Sequence, residues 1–254
     1  MQSLLAKLKD PSLAINNALV GANWVVEAST GATFDVTNPS TGEVIATLPD
    51  LGRQETIRAI DVAQKAWAKR TGKERAAILR KLYDFMVADA DDLAKILIME
   101  MGKPWAETRG GDPLCRVICG VVRGGGQARL YGDTILGHQP DKCILVIRQP
   151  VGVVVAITPW NFPNAMLAHK MAPALAAGCS MISKPAAQTP LSALALAVLA
   201  ERAGFPSGLF SVLTSTASAE IGRDFCSNDK IRKITFTGST NVGKSLCGRA
   251  PTKS

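Results

Sequence analysis

The feature that most constrains the fold is the alternation of short apolar runs with helical segments in the second half of the chain. Runs rich in β-branched residues, typical of buried strands, occur at residues 143–147, 151–157, 180–183, 209–213 and 233–237. Helical periodicity predicts helices between the later strands, at residues 165–177, 191–203 and 218–227. Strands that alternate with helices in this way form parallel βαβ units, so we expect an α/β fold built on a parallel sheet.

The first half of the chain has a different pattern. Residues 33–49 alternate apolar and polar side chains on both sides of the turn sequence NPSTG at residues 38–42, which predicts a β-hairpin. Apolar residues then recur at helical spacing over residues 54–67 and 73–101, and residues 102–104 (GKP) end the second run. We therefore expect an antiparallel hairpin followed by an all-helical segment.

Composition limits the functions that this chain can have. Its 254 residues, 47% of them hydrophobic, are enough for one large domain or two modest ones. No window has the roughly 18 consecutive apolar residues of a membrane-spanning helix, and the N-terminal sequence lacks a signal-peptide pattern, so we expect a soluble cytoplasmic protein. The net charge is +8, but the basic residues are scattered along the sequence and aromatic residues make up only 5%. Both observations argue against nucleic-acid binding.

Cysteine and histidine usage argues against a metal centre. The six cysteines contain no C-x-x-C pair, and the two histidines, His138 and His169, show no zinc-ligand spacing. We expect reduced thiols and no bound metal.

Two polar sequences directly follow predicted strands, at the carboxyl edge where open parallel sheets bind ligands. In residues 158–163 (TPWNFP), the Asn161 amide can either donate a hydrogen bond to a developing oxyanion or cap the next helix. In residues 183–187 (SKPAA), Lys184 can either reach a ribose or phosphate or lie in solvent. Position along the sequence does not decide between these alternatives.

A third strand-end sequence, residues 238–245 (GSTNVGKS), matches the G-x-x-x-x-G-K-S phosphate loop of nucleotide triphosphatases. That fold needs further strands after the loop, one of them with an Mg²⁺-binding Asp, and only nine residues follow Ser245. We therefore favour a simpler phosphate site, in which backbone N–H groups of a glycine-rich turn and a helix N-terminus face the anion.

Together these sequences resemble the aldehyde dehydrogenase superfamily, and most closely its succinate-semialdehyde dehydrogenase branch, over most of the chain. The resemblance also rests on residues 38–42 (NPSTG), 100–104 (EMGKP), 131–134 (YGDT), 150–153 (PVGV), 173–179 (PALAAGC) and 188–190 (QTP). It implies a Rossmann-like cofactor-binding fold. It also implies the NAD- or NADP-dependent oxidation of a small-molecule aldehyde to a carboxylic acid, most closely succinate semialdehyde to succinate.

The resemblance assigns roles to individual residues. Asn161 is the implied oxyanion donor, Lys184 meets the adenosine ribose, and the turn after the last strand lines the pyrophosphate. The implied cofactor-binding residues are Trp160, Asn161, Lys184, Pro185, Ala186, Ala187, Gly238, Ser239 and Gly243. In the family, a Cys thiolate attacks the aldehyde, a hydride passes to the nicotinamide, and a Glu acts as the base for thioester hydrolysis.

The chain departs from the family pattern in three places. The family's catalytic Cys and Glu follow the part matched by residues 236–243, and neither appears before Ser254, so we expect an N-terminal half without the catalytic domain and without activity. His169 stands where succinate-semialdehyde dehydrogenases have the Arg that holds the substrate carboxylate. Ala187 replaces the Glu with which NAD-preferring members engage the ribose, so NAD and NADP both stay open.

Two cysteines invite comparison with the family nucleophile. Cys179 matches a core cysteine of the family, and we expect it to be a buried thiol. Cys247 lies in the helix after the phosphate turn, which places it near the wrong end of the cofactor. Neither is expected to replace the nucleophile.

The resemblance also implies a domain organisation. Residues 1–140 would contain the hairpin, the helices and part of the family's oligomerisation strands, and residues 141–254 the cofactor-binding βαβ region. Intact relatives are homo-oligomers. The alternative function is a catalytically inactive nucleotide-binding remnant, or an interaction fragment that pairs with full-length relatives through the strand at residues 143–147.

Residues 110–130 fit neither pattern. Two glycine clusters and Pro113 interrupt any periodicity, which predicts a glycine-rich loop, yet a loop of about 20 residues is unusual inside a compact domain. Freely chosen codons for this segment, read one nucleotide later, can encode a helix similar to the one that the family has here. Our hypothesis is that the gene or its sequence has slipped frame over this segment.

Overall fold

Ten strands are present in the part of the chain that the computed structural model describes, which is residues 2–63, 67, 70–110 and 130–249. They are β1 (Ala18–Val20), β2 (Asn23–Val25), β3 (Thr33–Thr37), β4 (Val44–Pro49), β5 (Asp133–Leu136), β6 (Cys143–Val146), β7 (Val153–Ile157), β8 (Ser180–Lys184), β9 (Phe210–Val212) and β10 (Ile231–Phe236).

The helices of the same residues are α1 (Gln2–Leu5), α2 (Arg53–Ala63), α3 (Gly72–Ala88), α4 (Ala90–Met101), α5 (Trp105–Gly110), α6 (Pro163–Ala176), α7 (Leu191–Arg202), α8 (Ser218–Ser227) and α9 (Thr240–Cys247). A short 3-10 helix lies at Pro11–Leu13. The three helices predicted between the later strands are therefore confirmed, with ends shifted by two residues or fewer.

The central sheet has six strands in the order β10-β7-β8-β9-β1-β2. Strands β10, β7, β8 and β9 run parallel, which confirms the predicted parallel βαβ core. Strand β1 pairs antiparallel with β9 and with β2, an extension that the sequence pattern did not indicate. These two strands have three residues each, too few to show strand periodicity, and the pairing with β9 joins distant parts of the chain.

Two hairpins lie outside the central sheet. Strands β3 and β4 form the predicted hairpin around residues 38–42. Strands β5 and β6 form a second antiparallel pair, so the run at residues 143–147 belongs to a hairpin and not to the parallel sheet. The short connection between β5 and β6 favours this outcome, because a parallel partner requires a longer crossover.

The helical segment differs from the prediction at two points. Residues 73–101 form two helices, because Asp89 (φ −102°, ψ 17°) ends α3 and begins α4. Helix α2 ends at Ala63, so Trp67 is not helical as its spacing predicted. Trp67 is buried instead by tertiary contacts, and its indole N–H donates to the carbonyl of Leu175 at 2.6 Å.

Helices cover both faces of the central sheet. Val154 and Ala156 of β7 belong to the larger apolar core, which also contains residues of α6 and α7. The alternate residues Val153 and Val155 belong to a second core with residues of α2 and α8. Strands buried on both faces explain why the sequence shows continuous apolar runs instead of alternation.

Buried charges from α3 and α4 cap the ends of the helices that flank the sheet. The Glu100 carboxylate accepts the backbone N–H of Leu191 at 2.7 Å and that of Ser192 at 3.0 Å, at the N-terminus of α7. Arg75 Nε donates to the carbonyl of Ala176, at the C-terminus of α6, at 3.0 Å. The Arg75 guanidinium has the charge that a helix C-terminus favours, and the Glu100 carboxyl group satisfies two N–H groups that a helix N-terminus leaves unpaired. Burial nevertheless raises the pKa of Glu100 to about 8, against the two N–H donors that lower it.

Several expectations concern features that the described residues contain only in part. The segment at 110–130 lies almost entirely outside the described residues, which omit 111–129, so the loop and the frame-slip hypothesis both stay untested. Across the described ranges, no helix is long and apolar enough to cross a membrane. The same ranges contain no group of three His, Cys, Asp or Glu side chains that could hold a metal ion.

The buried carboxyl of Glu100 predicts a pH-dependent stability. Because its folded-state pKa of about 8 lies above the ordinary value of 4.5, the folded protein retains a proton that the unfolded chain releases between these values. The stability that this proton contributes is full below the unfolded-state pKa and is lost as pH rises through about 8. Relative to the variant Glu100→Gln, we expect the free energy of unfolding to fall by on the order of 2–4 kcal/mol from about pH 5 to about pH 8.

Urea unfolding at a series of pH values measures this difference. The matched control is Glu107→Gln, since Glu107 is also on this helical segment but is exposed. Parallel pH profiles for the wild-type chain and Glu100→Gln would show that Glu100 does not titrate in this range.

Candidate functional site

Three loops meet at the carboxyl edge of the central sheet. Ile157 at the end of β7 pairs with Lys184 at the end of β8 and with Phe236 at the end of β10, so the three strands end in one row. The loops that follow, residues 158–162, 185–190 and 237–239, therefore lie side by side. The three polar sequences singled out above share one edge, the edge at which open parallel sheets bind ligands.

Lys184 is a buried cation at one end of this row, beside the central strand β7. The residue is only 4% exposed, so the alternative of a solvated lysine is wrong. Its Nζ donates to Ser218 Oγ, in the first turn of α8, at 2.6 Å. Burial lowers the pKa of Lys184 to about 8, and the Asp50 carboxylate opposes that change. Since no ion pair to Lys184 is present in the described residues, this ammonium is suited to bind a phosphate or a ribose hydroxyl.

Asp50, which follows β4, shapes the loop that presents Ser218. Its Oδ1 accepts the Ser215 hydroxyl at 3.0 Å and the Thr216 backbone N–H at 2.8 Å, and its Oδ2 accepts the Thr216 hydroxyl at 2.5 Å. The sequence analysis identified neither Asp50 nor Ser218. No local signal marks them, because they act on residues far away along the chain.

The turn between β10 and α9 has the geometry of an anion site. Ser239 is the N-cap of α9: its Oγ accepts the Val242 N–H at 3.4 Å, and its carbonyl accepts the Gly243 N–H at 3.0 Å. The backbone at Gly238 packs closely on Phe236: a Cβ at position 238 would lie 2.5 Å from that ring, so a larger residue would require the ring to move. The N-terminus of α9 carries a partial positive charge toward this turn.

A second lysine, missed by the sequence analysis, reaches the same turn. Lys170 on α6 is half-buried, and its Nζ donates to Thr237 Oγ1, directly before Gly238, at 2.6 Å. Burial lowers the pKa of Lys170. The sequence offered no local signal for it, because Lys170 and Thr237 are 67 positions apart.

Trp160 and Asn161 lie exposed in the loop after β7. Helix α6 begins at Pro163 with Phe162 as its N-cap residue, and no side-chain cap hydrogen bond is present there. The alternative that Asn161 caps this helix is therefore wrong. Its amide is exposed at the sheet edge, where it can donate to a ligand.

The remaining predicted residues have different surroundings. Pro185 is buried and Ala186 and Ala187 are half-buried, and all three directly follow Lys184 at the end of β8. His169 is exposed on α6, about 9 Å along the axis from the helix start. Among the described residues no hydrogen bond or ion pair links His169 to the three loops, so the structure does not join it to the site.

The cysteines of the described residues are either buried or on elements other than the Asn161 loop. Cys179 and Cys226 are buried, and burial raises the pKa of the Cys226 thiol. Cys143 is exposed on the β5–β6 hairpin, and Cys247 is exposed at the C-terminal end of α9, opposite the end that forms the phosphate turn. The buried position predicted for Cys179 is confirmed.

Comparisons with known proteins agree with this architecture. A glutarate-semialdehyde dehydrogenase of Pseudomonas aeruginosa is 52% identical over 244 residues, which are 94% of this chain and 50% of that protein. The NADP(+)-dependent succinate-semialdehyde dehydrogenase GabD of Escherichia coli is 49% identical over 243 residues, again 94% of this chain and 50% of that protein. The chain thus spans about half the length of the curated relatives that it matches.

A solved structure of an NADP-dependent enzyme of Escherichia coli superposes with a TM-score of 0.92 at 48% identity, covering 96% of this chain and 51% of that one. Such a superposition confirms the α/β fold of the cofactor-binding domain. The sequence matches the aldehyde dehydrogenase family over residues 24–253, most of the chain. The chain with its row of three strand ends therefore belongs to the aldehyde dehydrogenase family.

Proposed function

We propose that this chain forms the dinucleotide-binding part of an NADP- or NAD-dependent aldehyde dehydrogenase, and that the whole protein oxidises succinate semialdehyde to succinate. The buried Lys184 is the observation that carries the proposal. Lys184 ends β8 on one side of β7, and the phosphate turn follows β10 on the other side. The Asn161 loop follows β7 and lies between them. The semialdehyde dehydrogenases among the relatives support this substrate class.

The donor set fits the adenosine half of the cofactor. Lys184 can donate to a ribose hydroxyl or to a 2′-phosphate, because its hydrogen bond to Ser218 uses one of three N–H groups. Pro185, Ala186 and Ala187 would form the wall beside this ribose. Since Ala187 brings no carboxylate that would repel a 2′-phosphate, we favour NADP, with NAD as the alternative. The NADP(+)-dependent relative is consistent with this preference.

The β10–α9 turn fits the pyrophosphate. Gly238, Ser239 and Gly243 would line it, with backbone N–H groups and the positive end of α9 directed at the phosphates. Lys170, bonded to Thr237, adds a cation at the base of the same turn. The backbone N–H groups, the N-terminus of α9 and Lys170 would then supply positive charge to the two negatively charged phosphates of the pyrophosphate.

The loop after β7 fits the reacting end. When bound, the nicotinamide accepts a hydride from the aldehyde carbon. Trp160 would border the nicotinamide, and the Asn161 amide N–H would donate to the oxyanion that forms when a thiolate attacks the aldehyde. In this part of the chain Asn161 is the proposed catalytic residue.

For the substrate carboxylate, the proposed contact is His169. An imidazole offers no bidentate guanidinium fork to a carboxylate, whereas the Arg of the family does. We therefore propose a short semialdehyde, with the carboxylate held less firmly than in relatives that have the Arg.

One observation favours a second candidate function. The β5–β6 hairpin exposes apolar side chains, among them Leu136, Ile144 and Leu145, and no third strand of the described residues pairs with it. A catalytically inactive fragment could pair with full-length relatives through this hairpin, and the whole protein could form homo-oligomers through it.

The domain boundary at residue 140 also stays a proposal. It would separate the N-terminal hairpins and helices from the cofactor-binding region. A cytoplasmic location is proposed as well.

Lys184→Met tests the adenosine site. We expect this variant to weaken NADP⁺ binding by about 1.5–3 kcal/mol, roughly 10- to 150-fold in Kd, because a charged hydrogen bond is lost. Isothermal titration calorimetry on the 254-residue chain measures the change. Lys81→Met is the matched control, since Lys81 is exposed on α3; equal losses in the two variants would remove the assignment.

The pKa of Lys184 predicts a pH dependence of binding. Because the pKa lies at about 8, the ammonium loses its proton as pH rises through that value, and the attraction for phosphate is lost with it. NADP⁺ affinity should therefore fall between about pH 7 and about pH 9.5 in the wild-type chain. Lys184→Arg keeps its charge over this range, so its affinity should stay level. A level profile for the wild-type chain would contradict the prediction.

The 254-residue chain should not oxidise aldehydes. Of the described cysteines, Cys179 and Cys226 are buried, and Cys143 and Cys247 are on elements other than the Asn161 loop. We therefore propose that none forms the covalent intermediate from which a hydride departs. Purified chain with NADP⁺ and succinate semialdehyde should give no rise in absorbance of reduced cofactor above a sample without protein. Turnover that disappears in Cys247→Ala would make Cys247 the nucleophile and overturn this view.

A further inference from the structure

The turn between α4 and α5 places a lysine against the proposed reacting end. Lys103 Nζ lies 3.6 Å from the centroid of the Phe162 ring, close enough for a strong cation–π contact. The side chain of Lys103 is 12% exposed, and its ion-pair partner Glu107 is 66% exposed at 3.8 Å. The ammonium is thus largely withdrawn from water, and the ring face compensates for part of that loss.

The turn that carries Lys103 is held by contacts on both sides. Gly102 has φ +77°, and a Cβ at this position would lie 2.9 Å from Pro39 Cγ, so the hairpin turn packs directly on it. One turn of helix before, Glu100 is bonded to the N-terminus of α7. Lys103 therefore projects from a fixed point.

The loop that receives Lys103 has few restraints of its own. Trp160 is 54% exposed, Asn161 is exposed, and Phe162 begins α6 without a side-chain cap hydrogen bond. The Phe162 ring is a side chain of this loop by which a neighbouring element holds it. Whatever fixes that ring also limits the directions open to the adjacent Asn161 amide.

We propose that Lys103 is a positioning residue, which holds the Phe162 ring and thereby orients Trp160 and Asn161 at the reacting end of the site. This inference rests on the proposed function, because it assigns an effect on the nicotinamide half of the cofactor. It gives the residues 100–104 (EMGKP) a role in the site that their distance along the sequence does not suggest. Lys103 itself does not touch the substrate or the cofactor.

The first experiment needs no ligand. The 254-residue chain is labelled with 5-fluorotryptophan, and the ¹⁹F resonance of Trp160 is assigned with Trp160→Phe. In Lys103→Met, which keeps the length of the side chain without its charge, we expect this resonance to shift while that of the buried Trp67 stays in place. Lys103→Arg should restore the original position, because a guanidinium also stacks on an aromatic face.

The second experiment compares two ligands in the same variants. NADP⁺ reaches both ends of the site, whereas adenosine 2′,5′-bisphosphate lacks the nicotinamide. Lys103→Met should raise the Kd of NADP⁺ by about three- to tenfold, the range of a partly desolvated cation–π contact, and leave that of the bisphosphate unchanged. Loss of structure alone would weaken both ligands and lower the thermal midpoint.

Two further variants separate the ring contact from the ion pair. Glu107→Gln removes the exposed salt bridge and should leave both Kd values as in the wild-type chain. In a Phe162→Leu background, Lys103→Met should have no further effect, since its partner is already absent.

The outcomes separate the proposed function of the chain from the positioning role of Lys103. If the wild-type chain binds neither ligand, the proposed function is refuted and the role of Lys103 with it. If it binds NADP⁺, but Lys103→Met changes neither the Trp160 resonance nor the Kd, only the positioning role is refuted. A loss of affinity for both ligands alike would also reject positioning, in favour of a purely structural role.

Discussion

The buried carboxylate of Glu100 at the N-terminus of α7 is the interaction on which the rest of the structure depends. It belongs to the helical segment, yet it satisfies the backbone of a helix on the nucleotide-binding sheet. The Arg75 guanidinium likewise satisfies a backbone carbonyl at the C-terminus of α6. Because helix ends leave backbone groups without intrahelical partners, these two side chains join the N-terminal helices to the sheet at points that tolerate little movement.

The contact between the N-terminal helices and the sheet continues to the loops of the candidate site. Glu100 precedes the turn of Lys103, and this turn contacts both the hairpin, at Pro39, and the loop after β7, at Phe162. The sequences 38–42 and 100–104 are therefore parts of one support behind the row of strand ends. Loops gain geometric precision when rigid elements hold them, which the Asn161 loop would lack on its own.

The lysines at the strand ends are paired with neutral hydroxyl groups. Lys184 is buried with a hydroxyl as its partner, and Lys170 is half-buried with another. Buried ammonium groups lose hydration that a neutral hydroxyl replaces only in part, so each lysine is left with capacity for an anion. The G-x-x-x-x-G-K-S sequence of residues 238–245 looks like a triphosphate loop, yet its lysine, Lys244, is exposed and Gly238 packs on Phe236. The lysine that reaches this turn is Lys170, and it comes from α6.

The amino-acid sequence by itself determined the elements and the edge of the site. Apolar runs and helical periodicity are local properties, so the βαβ order, the hairpin at residues 33–49 and the placement of Asn161, Lys184 and Gly238 at strand ends could all be predicted. The tertiary structure decided which groups act together. The burial of Lys184 and the roles of Asp50, Ser218, Lys170 and Lys103 arise from contacts between residues far apart in the chain, which leave no periodic or local signal in the sequence. The break at Asp89 and the strands β1 and β2 were missed for the same physical reason, since packing against distant elements overrides weak local preferences.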